Sequence, residues 1–336
     1  MFQERSPQIT ELEKLRNSVI ITYATSDRSG VETQIAEDIL AIFSDHLDLI
    51  GDVEKISLFL YTRGGSTLTA WSLVNLIRNF CKNFEVIVPS KCHSSGTIIC
   101  LGANNVLMTK QATLGPIDPS TNGLFNPFVE HNNQRVKAPL SVEHVNSFTE
   151  LIKKEFNITD QTALSNIIIN LSNQIHPIAL GEIFRSKTQI QMIAKKLLNK
   201  QGITGDEEVT KIINFLCSES GSHDYTIYRN EAKEELGLNI EKPDQTQYEL
   251  INKIFKDIET ELELRNRYDP NMLIGANATV SYTLKRGLIE STAGGSNIYV
   301  SEGVLNKQTI QQQTPAGVIN NIVLNDARNY EGWKKF

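Results

Sequence analysis

Between residues 19 and 109, short β-branched runs alternate with apolar helical segments across connections of a few residues. That alternation constrains the fold more than any other feature of the chain. Residues 19–25 (VIITYAT), 56–61 (ISLFLY), 84–89 (FEVIVP) and 105–109 (NVLMT) read as strands. Their apolar character suits strands covered on both faces, as in a parallel sheet. Between them, residues 32–47 place Ile35, Ile39, Ile42 and Phe43 at helical spacing. Ser66 stands where it can cap an apolar helix running to about Phe80, and residues 94–103 form another apolar helix. Strands and helices in this order build parallel βα units.

The remainder divides by composition. Residues 121–139 are polar and read as a surface loop bordering a cleft, and residues 141–200 are helical in pattern. Residues 208–218 and 229–236 continue the helical pattern, and Gly237 offers a C-cap. Residues 243–264 form an amphipathic helix, with Tyr248, Ile251, Ile254, Phe255, Ile258 and Leu262 on one face. After Asp269 and Pro270 two alternating strands surround a Gly294–Gly295 turn. A chain of 336 residues is long enough for more than one core. The expected division is a core at 1–240, a linking helix at 241–269 and a small β-rich accessory region at 270–336.

Charge and composition narrow the partners. The net charge of −6 supplies no global basic field, so no nucleic-acid partner is expected. The first residues contain acidic side chains and no apolar core of a signal peptide, and no apolar run approaches the roughly 20 residues of a membrane span. A cytoplasmic protein without a membrane partner is the expectation. The four cysteines form no CxxC pair and are expected as reduced thiols. The six histidines make no i,i+3 or i,i+4 pair, and neither HExxH nor a glycine-rich nucleotide loop occurs, so no metal or cofactor is expected.

Two strand–turn–helix junctions carry the chemistry. In the first, strand 56–61 runs into Thr62-Arg63-Gly64-Gly65, where bare backbone N–H groups can approach a ligand. Such groups can form an oxyanion hole for acyl transfer. In the second, Pro89-Ser90-Lys91-Cys92-His93-Ser94-Ser95-Gly96-Thr97 sets a serine at the first turn of an apolar helix, whose N-terminal dipole favours negative charge.

The run from LFLYTRGGSTLTAW through VIVPSKCHSSGTIICLGA to LGPIDP resembles the serine dehydrogenase proteinase family, a distant branch of the Clp protease, signal peptide peptidase A and crotonase-fold superfamily. The segment SHDYTIYRNEAKEELGLNI, residues 222–240, is similar to that family's histidine–aspartate segment. The resemblance spans residues 15–260 and leaves 270–336 unmatched. It implies an α/β fold, a Clp/crotonase-like spiral of ββα units with a small C-terminal β-rich appendage. It implies a serine endopeptidase acting through an acyl-serine at Ser94, with His223 as base and Asp118 as orienting carboxylate. Asp224 is the alternative acid and His176 the alternative base. Gly64, Gly65 and Ser95 would supply the oxyanion hole. A protein or peptide substrate, a homo-oligomer and a regulatory partner on the C-terminal region are further expectations.

Clp proteases carry their histidine about twenty-five residues beyond the nucleophile, where this chain has Gly115-Pro116-Ile117-Asp118. That difference keeps a catalytically silent assembly or binding module as an alternative. An acyl-CoA enzyme on the same fold is another, although Ser94 stands where such enzymes use carboxylates.

Overall fold

The computed structural model describes every residue except Pro119, Asn122, Asn132, Asn133, Pro315 and Ala316. The chain divides into two compact units, one of Met1–Thr113 with Ile240–Phe336 and the other of Leu114–Asn239.

The first unit is built on an eight-stranded mixed sheet. Its order runs Ile240–Glu241, Asn105–Met108, Cys81–Val88, Val53–Tyr61, Val19–Thr25, Thr279–Ser291, Gly295–Thr314, Gly317–Lys335. The first five strands are parallel to their neighbours, and the last three join antiparallel. The parallel strands are apolar because helices cover them: Ile21, Leu58, Phe59, Val86, Ile87 and Leu107 are all buried. Helices Ile39–Ile50, Thr67–Asn79 and Ser95–Leu101 connect these strands, the second capped by Ser66 Oγ, which accepts the Thr69 N–H.

The expected helix at 32–47 begins later, at Ile39. Ile35 instead forms a parallel bridge to Gly65, so its apolar side chain belongs to the core without belonging to a helix. The carboxyl-terminal strands are longer and one more in number than the alternation suggested, at 13, 20 and 19 residues. Residues 270–336 therefore extend the sheet begun by Val19–Thr25, through the pairs Ile21 with Ser291 and Tyr23 with Ile289. The compact units thus divide the chain differently from the expected 1–240, 241–269 and 270–336.

Buried charge fastens the chain's ends to this sheet. Arg5, on helix Phe2–Arg16, is fully buried and donates to Glu290 of strand Thr279–Ser291 at 2.7 and 2.9 Å. It also donates to Glu261 at 2.8 Å and to Asp257, both on helix Gln245–Glu261. Arg16 similarly bridges Glu85 and Glu241. Burial opposes the charge on Glu85, but Arg16, Lys55 and the Ser57 hydroxyl hold its carboxyl below the usual range. Such clusters specify one arrangement because an orphaned buried charge is costly.

The second unit is mostly helical. Its longest helix, Pro177–Gln201, buries Ile183, Ile190, Ile193, Ala194 and Leu197 along one face. Helices Val142–Glu150, Gln161–Gln174 and Asp206–Asn214 accompany it. Within the stretch expected as a loop, Phe128–His131 and Gln134–Lys137 pair as an antiparallel hairpin. Among the described residues, no helix is long and apolar enough to cross a membrane.

Two stability outcomes follow from the first unit. Arg5→Ala leaves Glu290 buried without its cation and should cost about 3–5 kcal/mol, read as a lowered urea midpoint. His46 accepts from the Ser291 hydroxyl at Nδ1 (2.7 Å) and donates from Nε2 to Asn297 Oδ1 (2.9 Å), and burial lowers its pKa from 6.5. The unfolded chain therefore binds the proton first, so stability is full above pH 6.5 and falls as the pH drops toward the lowered folded value. Urea unfolding of His46→Gln on either side of pH 6.5 should show a flatter pH dependence than the parent protein.

Candidate active site

The first unit holds both junctions. Strand Val53–Tyr61 ends at Thr62, whose N–H donates to Lys91 O (3.0 Å) and whose carbonyl accepts the His93 N–H (3.1 Å). These bonds draw the two junctions together. Gly64 follows with φ 116° and Gly65 with φ 147°. A Cβ on Gly64 would stand 2.7 Å from Ser94 Cβ, and one on Gly65 would stand 2.3 Å from the Ile35 carbonyl oxygen. Only glycine fits at either position. The Gly64 carbonyl accepts the Ile35 N–H at 2.9 Å, and the Ile35 carbonyl accepts the Ser66 N–H at 2.8 Å. The GG turn is thus pinned on one side by a backbone ladder and pressed on the other against the serine.

Ser94 precedes helix Ser95–Leu101 with φ 53° and ψ −115°, an unusual conformation for a residue with a side chain. The helix behind it is buried all round, which fixes its first turn. Ser94 is half-buried, and its hydroxyl makes no hydrogen bond within the first unit among the described residues. Ser95 Oγ donates to the Gly65 carbonyl at 2.5 Å. The Gly64 N–H is taken by Thr62 Oγ1 at 3.0 Å. The Gly65 and Ser95 N–H groups have no acceptor among the described residues. Two of the three expected oxyanion donors are therefore open. His93, the neighbour of Ser94, engages Thr113 Oγ1 through Nε2 at 2.8 Å.

The second unit holds the acid–base candidates. Asp118 and His223, 105 residues apart, meet at 2.7 Å between Oδ1 and Nδ1. Asp118 is nearly buried and His223 is half exposed, with side-chain exposures of 10% and 55%. The Ile117 N–H donates to Leu216 O at 2.8 Å, which anchors the carboxylate's backbone. A turn closed by the Tyr225 N–H on Ser222 O (3.1 Å) presents the histidine. Cys217 lines the same cavity of about 200 Å³, and burial with the charge of Asp118 nearby pushes its thiol up to about 12. It stays protonated and is no competing nucleophile at neutral pH. Asp224 is exposed, and its backbone N–H donates to Ser222 Oγ at 3.2 Å. His176 caps helix Pro177–Gln201, with Nδ1 accepting the Ile178 N–H at 3.2 Å, and stacks on Phe125. With Nδ1 accepting, the neutral ring carries its proton on Nε2 and offers no free lone pair there.

Thr62, whose hydroxyl holds the Gly64 N–H and accepts from Thr25 Oγ1 at 2.8 Å, escaped the sequence reading. Its signal was its place at the strand end, two residues before the double glycine. Ile35 escaped because its contribution is a backbone bridge, which no side-chain pattern reports. Among the described residues, no group of three or more His, Cys, Asp or Glu side chains could hold a metal ion.

Residues 35–162 match the family model of the ClpP-like SDH-type serine proteinases, so the segment bearing the GG turn and Ser94 has a ClpP-like serine protease fold. Two proteins of Methanocaldococcus jannaschii, both described as uncharacterised, are similar in sequence. One is 26% identical, over 69% of this chain and 72% of that protein. The other is 24% identical over 55% of this chain, which spans 51% of that protein's length. Among solved structures, a membrane-bound stomatin-specific protease aligns at 14% identity over 68% of this chain and 82% of that one, with a TM-score of 0.40. ClpP1 from Listeria monocytogenes aligns at 15% identity over 70% and 98%, with a TM-score of 0.37.

The contact at Gly64 has a direct consequence. Gly64→Ala forces a Cβ against Ser94 at a backbone angle that alanine avoids, and should destabilise the protein by about 1–3 kcal/mol. Differential scanning calorimetry of the purified variant measures it.

Proposed function

From the ClpP-like serine proteinase match over residues 35–162, we propose that the protein is a serine endopeptidase with Ser94 as nucleophile. The observation that carries this reading is the backbone of Ser94. A serine in a strained conformation, pressed against a glycine pair and followed by an open N–H group, suits a nucleophile better than a helix cap. A capping serine would accept an N–H from its own helix, and Ser94 Oγ accepts none.

In the proposed reaction His223 takes the Ser94 proton as Oγ attacks the scissile carbonyl. Asp118, bonded to Nδ1, fixes the tautomer with Nε2 as the basic nitrogen and stabilises the imidazolium. The Gly65 and Ser95 N–H groups are the donors for the oxyanion that forms. The imidazolium then protonates the leaving amine, and water repeats the sequence to release the acyl group. His223 is preferred over His176 because its Nδ1 faces a carboxylate, whereas that of His176 accepts a backbone N–H. Asp118 is preferred over Asp224 for the same contact.

Hydrolysis of a fluorogenic peptide library should fall by about 10³-fold or more in Ser94→Ala and in His223→Ala. Asp118→Asn should also fall steeply, because the amide can hold the imidazole in the wrong tautomer. The double variant of Ser94 and His223 should lose little beyond either single one, since the two act as a unit. Turnover that survives in Ser94→Ala would contradict the proposal.

A further inference from the structure

A cavity of about 340 Å³ in the first unit is assigned no role by the peptidase reading. It lies where the segment after strand Val19–Thr25 meets the three carboxyl-terminal strands. Trp333 and Tyr299 form one wall, packed edge to face with centroids 5.4 Å apart. The indole Nε1 donates to Asp38 Oδ2 at 2.9 Å, which holds both the ring and the carboxylate at the cavity. Gly287 lies behind the pair; a Cβ there would stand 3.6 Å from both Trp333 Cη2 and Tyr299 Cβ.

Two features set this cavity apart. Tyr23 lines the cavity and is fully buried, packed edge-on against Phe43, yet its hydroxyl has no hydrogen-bond partner among the described residues. A buried hydroxyl without a partner is costly, and a bound polar group would relieve it. The strand opposite is bulged between Lys285 and Gly287. The bulge turns the Arg286 carbonyl toward the Ser26 N–H (2.8 Å) and the Thr33 hydroxyl (2.5 Å), securing the segment that closes the cavity.

The charges select the ligand. Asp38 and Glu32 line the cavity, and Glu331 adjoins it through the Tyr299 hydroxyl at 3.1 Å. Arg286 is the cationic side chain lining the cavity, but its donors are committed. They go to Val31 O (2.9 Å), Ser301 Oγ (2.8 Å) and the Glu32 carbonyl, and its charge is met by Glu331 at 3.0 Å. With Glu331 paired to Arg286 and to Arg328, the two lining carboxylates, Asp38 and Glu32, leave the cavity negative. An aromatic wall beside carboxylates is the chemistry that holds ammonium and guanidinium groups.

We propose that the cavity between Tyr23, Asp38 and the Tyr299–Trp333 pair binds an organic cation, an ammonium or guanidinium group carried by a basic side chain or by a free small amine. Asp38 supplies the charge, the indole its π face, and the Tyr23 hydroxyl accepts an N–H. The site uses residues outside the candidate active site and stands whether or not Ser94 is catalytic.

The protein contains two tryptophans, so a Trp71→Phe background reports on Trp333 alone. Titration with ethylguanidinium chloride should produce a saturable change in emission below about 50 mM. Ethylurea, the neutral isostere, and sodium chloride at equal ionic strength should not. Asp38→Asn keeps an acceptor for the indole and removes the charge, and should weaken binding about tenfold or more. Tyr23→Phe should weaken binding while leaving the melting temperature unchanged or raised, because it removes an unsatisfied buried hydroxyl. A short peptide containing one arginine and free agmatine then separate the two sources, the tighter of them naming the ligand. Equal response to ethylurea, a saturable response unaltered in both variants, or no saturable response to either cation would overturn the proposal.

Discussion

The glycine pair at 64 and 65 has no room for a side chain on either flank, and the arrangement of the first junctions depends on that. On one flank the Ile35 backbone occupies the space a Cβ would need; on the other, Ser94 does. The turn is therefore an interface between two connections of the sheet. Its position follows from Thr62, which receives and returns backbone hydrogen bonds with the strand end at Lys91 and His93. The strain at Ser94 is maintained because a buried helix behind it and the glycine pair before it leave no relaxed alternative. A residue strained at such a point is a reason to look for chemistry there.

Farther from the serine, the same sheet explains why the carboxyl-terminal strands matter. Strand Thr279–Ser291 lies directly beside Val19–Thr25, so it covers an edge that would otherwise present unpaired backbone groups. Glu290 in that strand is the fully buried partner of Arg5. The first helix, the amphipathic helix and the added strand are therefore tied by one set of charges. Removing residues 270–336 would expose the edge and take Glu290 from Arg5, leaving the guanidinium only Asp257 and Glu261. The cavity at Trp333 is a second product of this addition, since two of its walls come from those strands.

The parallel strands were legible because burial on both faces leaves uninterrupted apolar runs; Val19–Thr25 appears with the expected ends, and Asn105–Met108 within one residue. Helix Gln245–Glu261 was legible from its apolar stripe. What local pattern could not carry was pairing over distance. Ile35 has helical spacing with Ile39 and Ile42, yet it serves the Gly65 bridge. The strand Gly317–Lys335 mixes polar and apolar residues without a consistent alternation, and only its partner Gly295–Thr314 defines it. The junctions at Gly64–Gly65 and Ser94 were visible as strand–turn–helix punctuation. The contact between Asp118 and His223 spans 105 residues, and no spacing rule joins them; only the family resemblance set the two side by side. The cation cavity left no sequence signal, because Asp38, Tyr299 and Trp333 are scattered along the chain.

Treatment with a fluorophosphonate probe, followed by mass spectrometry of the peptides, tests the central claim most directly. The account predicts a single adduct on Ser94 that is absent when His223 is replaced by alanine, because only an activated hydroxyl reacts with such a probe. An unlabelled Ser94 in a folded protein, or a label that forms equally well without His223, would contradict it.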